Sequence, residues 1–145
     1  MGWCVLPYNT LIYKRPMIHF ISGHLSLTQK EFDTYYKPLI DNALSHNHSF
    51  VVGDAKGADT LSQNYLFGKT DRVVVYHMFE SPRYNAGFPT EGGYKSDEER
   101  DVAMTDNSDT NIAWVRKGRE KSGTQKNLDR REEIKYRLSY LGGDR

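Results

Sequence analysis

Short apolar segments alternate with helical patterns along this chain, and that alternation constrains its fold more than any other feature. The clearest segment is Val73-Val74-Val75-Tyr76, whose β-branched run is typical of a strand buried on both faces of a parallel sheet. Strands are predicted over residues 17–22, 49–52, 72–78 and 111–115, and helices over residues 28–44, 58–67, 96–107 and 123–141. This order favours right-handed crossovers, so the sequence predicts an α/β three-layer sandwich with a mainly parallel sheet of four to five strands.

Two parts of the pattern are irregular. Pro38 lies inside the first helical stretch and predicts a kink there. Residues 79–95 are rich in Pro, Gly and Tyr and are predicted to form a long loop, which is often a functional element in a compact domain. Residues in that loop that could cover a site are Arg83, Tyr84, Asn85, Phe88, Gly92, Gly93 and Tyr94.

Length and charge narrow the class of protein. The 145 residues suit one domain, predicted over residues 17–145, with residues 1–16 as an N-terminal extension. Twenty basic and nineteen acidic residues leave a net charge of +1. The sequence therefore lacks the excess of positive charge that would attract a nucleic acid or an anionic membrane. Cys4 is the single cysteine, which points to a reducing cytoplasm. No apolar run approaches the ~20 residues of a membrane span.

Turns that contain glycine follow three predicted strands. They are Ser22-Gly23-His24, Gly53-Asp54-Ala55-Lys56-Gly57-Ala58-Asp59, and the loop after Val115, which ends in Lys121-Ser122-Gly123-Thr124. Ligands of parallel α/β sheets bind at the carboxyl ends of the strands. Unpaired N–H groups at the start of each following helix favour an anion, and glycine lets the backbone approach it closely. The sequence therefore predicts a phosphate-binding site that needs no net positive charge.

The spacing of these turns, with Glu99-Arg100-Asp101-x-x-Met104 between them, resembles the SLOG superfamily, and its small YspA-like branch most of all. The resemblance covers about residues 17–138 and implies a Rossmann-like sheet that binds a nucleotide or nucleotide-derived ligand. We predict no metal or other cofactor. The ligand-binding residues that it and the turns indicate are Ser22, Gly23, Gly53, Asp54, Gly57, Ala58, Asp59, Arg100, Met104, Ser122, Gly123, Thr124 and Asn127.

The related LOG phosphoribohydrolases cleave the N-glycosidic bond of nucleoside monophosphates, and the resemblance places Arg100 in the position of their arginine. Asn127 stands where their glutamate is expected, and the preceding glycine pair is absent. Glycosidic cleavage needs a carboxylate to stabilise or attack an oxocarbenium-like centre. Asp101 and Glu99 are the replacements that we predict, with Asp54 and Glu120 as further alternatives.

A second interpretation is a non-catalytic nucleotide sensor or interaction protein, working as a homo-oligomer through its Tyr-rich first helix and its N-terminal extension. Nucleic-acid binding is disfavoured by the near-neutral charge. His24 is the one histidine placed for chemistry, directly after the first strand, and His77 is a weaker candidate near the end of the third.

Overall fold

The computed structural model describes residues 16–143, so residues 1–15 of the predicted extension lie outside the described part of the chain. Five strands and five helices follow one another in it. The strands are β1 (Ile18–Ile21), β2 (Ser49–Val52), β3 (Val73–Met78), β4 (Thr90–Tyr94) and β5 (Thr110–Ile112). The helices are α1 (Gln29–Tyr35), α2 (Lys37–Ser45), α3 (Ala58–Leu66), α4 (Asp97–Asp106) and α5 (Gly123–Gly143).

All five strands form one parallel sheet in the order β4-β3-β2-β1-β5, which confirms the predicted fold class. Consecutive strands add in one direction from β1 to β4, and β5 then returns to the other side of β1. The order reverses between β1 and β5, and such a switch point leaves a crevice at the carboxyl ends of its two strands.

Alternating strand residues serve two separate cores, because neighbouring side chains of a strand point to opposite faces. One face carries Ile21, Phe50 and Val52 and packs against α1, α2 and α3. The opposite face carries Phe20 and packs with Met104 of α4. Helices therefore cover both faces, as in the predicted three-layer sandwich.

The first predicted helix is two helices rather than one kinked helix. Thr28 caps α1 and forms a capping box with Glu31, and α1 ends at Tyr35. Pro38 lies in the first turn of α2, where its missing N–H costs no hydrogen bond. The proline starts a helix here and does not bend one.

The predicted loop over residues 79–95 contains an unpredicted edge strand, β4, whose sequence Thr-Glu-Gly-Gly-Tyr lacks apolar alternation. β5 is also shorter than predicted and ends at Ile112, not at Val115. The chain leaves the sheet there because the backbone N–H of Trp114 donates to the hydroxyl of Tyr36 instead of to a neighbouring strand. Within residues 16–143, none of the helices combines the length and the apolar character of a membrane span.

Candidate functional site

A cavity of about 540 Å³ opens at the switch point between β1 and β5. Four parts of the fold line it: the turn after β1, the glycine turn after β2, the N-terminal part of α4, and the segment that leads into α5 together with the first turns of that helix. Of the predicted ligand-binding residues, those that line the cavity are Ser22, Gly23, Asp59, Arg100, Met104, Ser122, Gly123, Thr124 and Asn127. Asp101, a predicted catalytic residue, lines it as well.

The glycine turn after β2 folds inward at Asp54, whose side chain is 1 % exposed. Its Oδ1 accepts from Arg83 Nη2 and Arg100 Nη1, each at 2.7 Å, and its Oδ2 accepts from the backbone N–H of Arg83 at 2.7 Å. Burial alone would raise the pKa of Asp54, but the hydrogen bonds and charge of Arg83 and the charge of Arg100 outweigh it and lower the pKa. Asp54 is thus an ionised anchor for two arginines and does not line this cavity.

Gly53 and Asp59 form the inner wall of the same turn. The Asp59 carboxylate accepts from the backbone N–H of Ala55 at 3.1 Å and is buried. Burial raises the pKa of Asp59 to about 7, against the opposing charge of Arg100 and the hydrogen bond from Ala55. A Cβ on residue 53 would lie 2.5 Å from Asp59 Oδ2 and 2.8 Å from Arg100 Cζ, so only glycine fits there.

Arg100 is held by carboxylates and is 6 % exposed. Besides Asp54, it donates from Nε and Nη2 to Asp101 Oδ1 at 3.1 and 2.9 Å, and its Nη1 lies 3.1 Å from Asp97 Oδ1. A guanidinium with this many carboxylate partners has little capacity left for a phosphate. The geometry assigns Arg100 a positioning role, chiefly toward Asp101, in place of the predicted phosphate contact.

Asp101 is fixed from both sides. Its Oδ2 accepts from Asn127 Nδ2 at 3.0 Å, while Asn127 Oδ1 accepts from Arg130 Nη1 at 2.6 Å, which sets the orientation of the amide. The Asp101 side chain remains 16 % exposed. Asn127, which replaces the expected glutamate, therefore orients a carboxylate that comes from another helix.

The start of α5 forms the wall toward solvent. Ser122 caps this helix, since its hydroxyl accepts from the backbone N–H of Gln125 at 3.2 Å, and Thr124 is buried in the first turn. The first backbone N–H groups of a helix have no internal partner and favour an anion. At the cavity rim the exposed side chains of Lys56 and Arg119 have no ion-pair partner among the residues that the structure describes.

Four other predicted residues lie outside the cavity lining. Gly57 has φ +76° and packs on the backbone carbonyls of His24 and Leu25, and the N–H of Ala58 donates to the His24 carbonyl at 3.1 Å. Both residues join the turns after β2 and β1 and do not face the ligand space. Glu99 is exposed, and Gly53 lies behind Asp59.

The loop that was predicted to cover a site borders a smaller, neighbouring cavity of about 340 Å³ through Arg83 and Tyr84. Arg83 is anchored by Asp54, a contact across 29 positions that no local pattern indicates. His77 lies under the edge strand, where a Cβ at Gly92 would collide with its ring, and it does not line the main cavity.

Cavity residues that the sequence reasoning missed include Lys56 and Arg119. The flanking glycines of both turns were the available signal, since each cation lies within four positions of a glycine. In residues 16–143 no group of three or more His, Cys, Asp or Glu side chains is arranged to hold a metal ion.

Comparisons of this chain with protein-family models, with curated proteins and with solved structures found no match. The resemblance to the SLOG superfamily therefore stays a prediction.

Proposed function

We propose that this protein binds a phosphorylated nucleoside-like ligand in the cavity between β1 and β5. The observation that carries the proposal is the shared lining of one cavity by the start of α5, by two unpaired cations and by a fixed carboxylate. A volume of about 540 Å³ falls within the range of small-molecule sites.

The phosphate is assigned to the start of α5. Helix N–H groups and the hydroxyl of Thr124 supply donors there, and Lys56 and Arg119 supply positive charge at the rim. Arg100 does not take part in this phosphate contact, because its guanidinium is already ion-paired with Asp54, Asp97 and Asp101. The apolar side chains of Phe20 and Met104 line the inner part of the cavity and suit the uncharged portion of the ligand.

Binding can be measured by isothermal titration calorimetry with AMP, GMP, CMP, UMP, ribose 5-phosphate and the matching unphosphorylated nucleosides. We expect the phosphorylated members to bind more tightly, since only they meet the start of α5. Arg119→Ala should weaken that binding about tenfold, as expected for a lost charge-assisted hydrogen bond. Arg137→Ala serves as the control, because Arg137 is exposed near the far end of the same helix. Equal binding of nucleosides and nucleotides would contradict the proposed phosphate site.

A second candidate function is hydrolysis of an N-glycosidic bond, favoured by the partly exposed carboxylate of Asp101. Asp101 would stabilise or attack the sugar carbon that bears the base, and water would complete the products, a free base and ribose 5-phosphate. Arg100 and Asn127 would hold the carboxylate in one orientation, because both donate hydrogen bonds to it.

Release of free base from the same nucleoside monophosphates tests this activity. Asp101→Asn should abolish turnover while binding persists, and Asp106→Asn on the exposed side of the same helix should leave it unchanged. Tight binding by the wild-type protein without any base release would favour the alternative, a non-catalytic nucleotide sensor.

A further inference from the structure

Two polar side chains at the carboxyl end of β1 have hydrogen-bonding capacity that the described residues leave unused. The Ser22 hydroxyl oxygen is buried and has no partner, and Ser22 lines the main cavity. His24 lines the same cavity and is 3 % exposed. Gly23 separates them and packs tightly, since a Cβ there would lie 2.3 Å from the Tyr36 hydroxyl oxygen.

One nitrogen of His24 is occupied in a way that fixes the tautomer. The backbone N–H of Arg116 donates to His24 Nε2 at 2.8 Å. A backbone amide can only donate, so Nε2 carries no proton and a neutral imidazole must carry its proton on Nδ1. Nδ1 has no partner in the described part of the chain, and it is not among the sealed, unpartnered atoms there, which are His19 Nδ1, Ser22 Oγ and Ser62 Oγ. It is therefore a donor that remains accessible to a ligand.

The position of His24 is fixed as firmly as its tautomer. Its backbone carbonyl accepts from the N–H groups of both Leu27 and Ala58, at 3.2 and 3.1 Å. Trp114 contacts the ring edge-on, with 6.1 Å between ring centroids. The ring cannot turn over without breaking the Arg116 hydrogen bond, so the free nitrogen keeps one orientation.

The surroundings of His24 favour an anion. Burial, followed by the charges of Arg116 and Arg119, lowers the pKa of His24, so the ring is neutral at pH 7. The Arg116 guanidinium is already engaged by Glu31, at 2.6 Å from Nη2 to Oε1, whereas Arg119 is not. A neutral N–H donor beside a free cation matches an oxyanion better than it matches a second cation or an apolar group.

We propose that His24 is a fixed, neutral recognition residue whose Nδ1–H donates to an oxygen of the bound phosphate ester, whereas the sealed hydroxyl of Ser22 lies behind that contact. This inference rests on the proposed function, because it concerns the same cavity. It extends the phosphate contacts from the start of α5 to the turn after β1.

The tautomer is testable without any ligand, by long-range ¹H–¹⁵N correlation spectra of the histidine side chains between pH 6 and pH 8. We expect the neutral ring of His24, at pH 7 and above, to show a protonated Nδ1 and an unprotonated Nε2. A protonated Nε2 would overturn the inference. Addition of ribose 5-phosphate should then shift the Nδ1 resonance of His24 and leave that of His46, an exposed histidine at the end of α2, unchanged.

Two variants separate the role in binding from the role in the fold. The side-chain oxygen of Gln reaches the position of Nε2, so His24→Gln keeps the acceptor for Arg116 and loses the donor. The amide of Asn reaches only the position of Nδ1, so His24→Asn keeps the donor and loses the acceptor. We expect His24→Gln to bind ribose 5-phosphate and inorganic phosphate at least tenfold more weakly at nearly unchanged stability. We expect His24→Asn to retain binding and to melt at a lower temperature, and His46→Gln is the control for both measurements.

The outcomes of these titrations are distinct. If neither phosphate probe nor any nucleotide binds the wild-type protein, the proposed function fails and this inference fails with it. If the probes bind the wild-type protein and His24→Gln equally well, only the role of His24 is refuted.

Discussion

Replacement of Gly53 by alanine is the most direct test of how the turn after β2 is packed. In Gly53→Ala the new methyl group would lie 2.5 Å from Asp59 Oδ2 and 2.8 Å from Arg100 Cζ, where ordinary contacts are 3.4–4 Å. Arg100 cannot withdraw, because three carboxylates hold its guanidinium. Overpacking and a disturbed buried ion pair together should cost about 2–4 kcal/mol of unfolding free energy.

Urea unfolding followed by far-ultraviolet circular dichroism measures that cost, and thermal melting should show a Tm lower by about 10 °C. Gly123→Ala is the matched control, since a Cβ there meets nothing within 4 Å and the residue begins α5. Its stability should be unchanged or higher by up to about 1 kcal/mol, because alanine favours a helix over glycine.

A double-mutant cycle tests whether the collision with Asp59 causes the loss of unfolding free energy in Gly53→Ala. In an Asp59→Ala background the Gly53→Ala substitution should cost at least about 1 kcal/mol less, since one of the two colliding groups is gone. An unfolding free energy of Gly53→Ala within about 0.5 kcal/mol of the wild type, the range typical of innocuous surface changes, would refute the reasoning.

Two further predictions concern other parts of the domain. Burial, followed by the charge of His48, lowers the pKa of His19 to about 4. As the pH falls below 6.5, His19 therefore becomes protonated in the unfolded chain before it does so in the folded protein. Stability should fall by about 1–2 kcal/mol as the pH drops from 6.5 to 4, after allowing for solvent near a half-buried ring, and urea titrations should show a weaker fall for His19→Val. Tyr36→Phe should cost about 1–3 kcal/mol in the same assay, because the lost hydroxyl donates to the Ser22 carbonyl and accepts from the Trp114 N–H; an unchanged midpoint would mean that water replaces it.

The fold was predictable because its signals are local. The β-branched run of β3 and the apolar stripes of the helices are visible in short windows of sequence, and their alternation leaves few topologies. β4 was not predictable in this way, since an edge strand with two glycines and no apolar alternation has no local signature. Its place comes from pairing with β3.

The candidate site was predictable in position but not in detail. The three turns indicated the edge of the sheet at which the cavity lies, because parallel strands bring their carboxyl ends together. The inward rotation of Asp54 depends on an ion pair with Arg100 across 46 positions. Sequence spacing does not encode such a contact, so Arg100 looked free for a phosphate when it is held by carboxylates.

The cavity at the switch point is assembled from connections that are far apart in the chain, the first near residue 22 and the last near residue 127. A local opening of any one of these connections would therefore dismantle the site, even with the rest of the domain intact. A ligand at 100 times its Kd would then raise the free energy of complete unfolding by about 2.7 kcal/mol. It would raise the free energy of each such partial opening by the same amount. Ligand binding should therefore slow amide hydrogen exchange both in the turn after β1 and at the start of α5, although these two segments are far apart in the sequence.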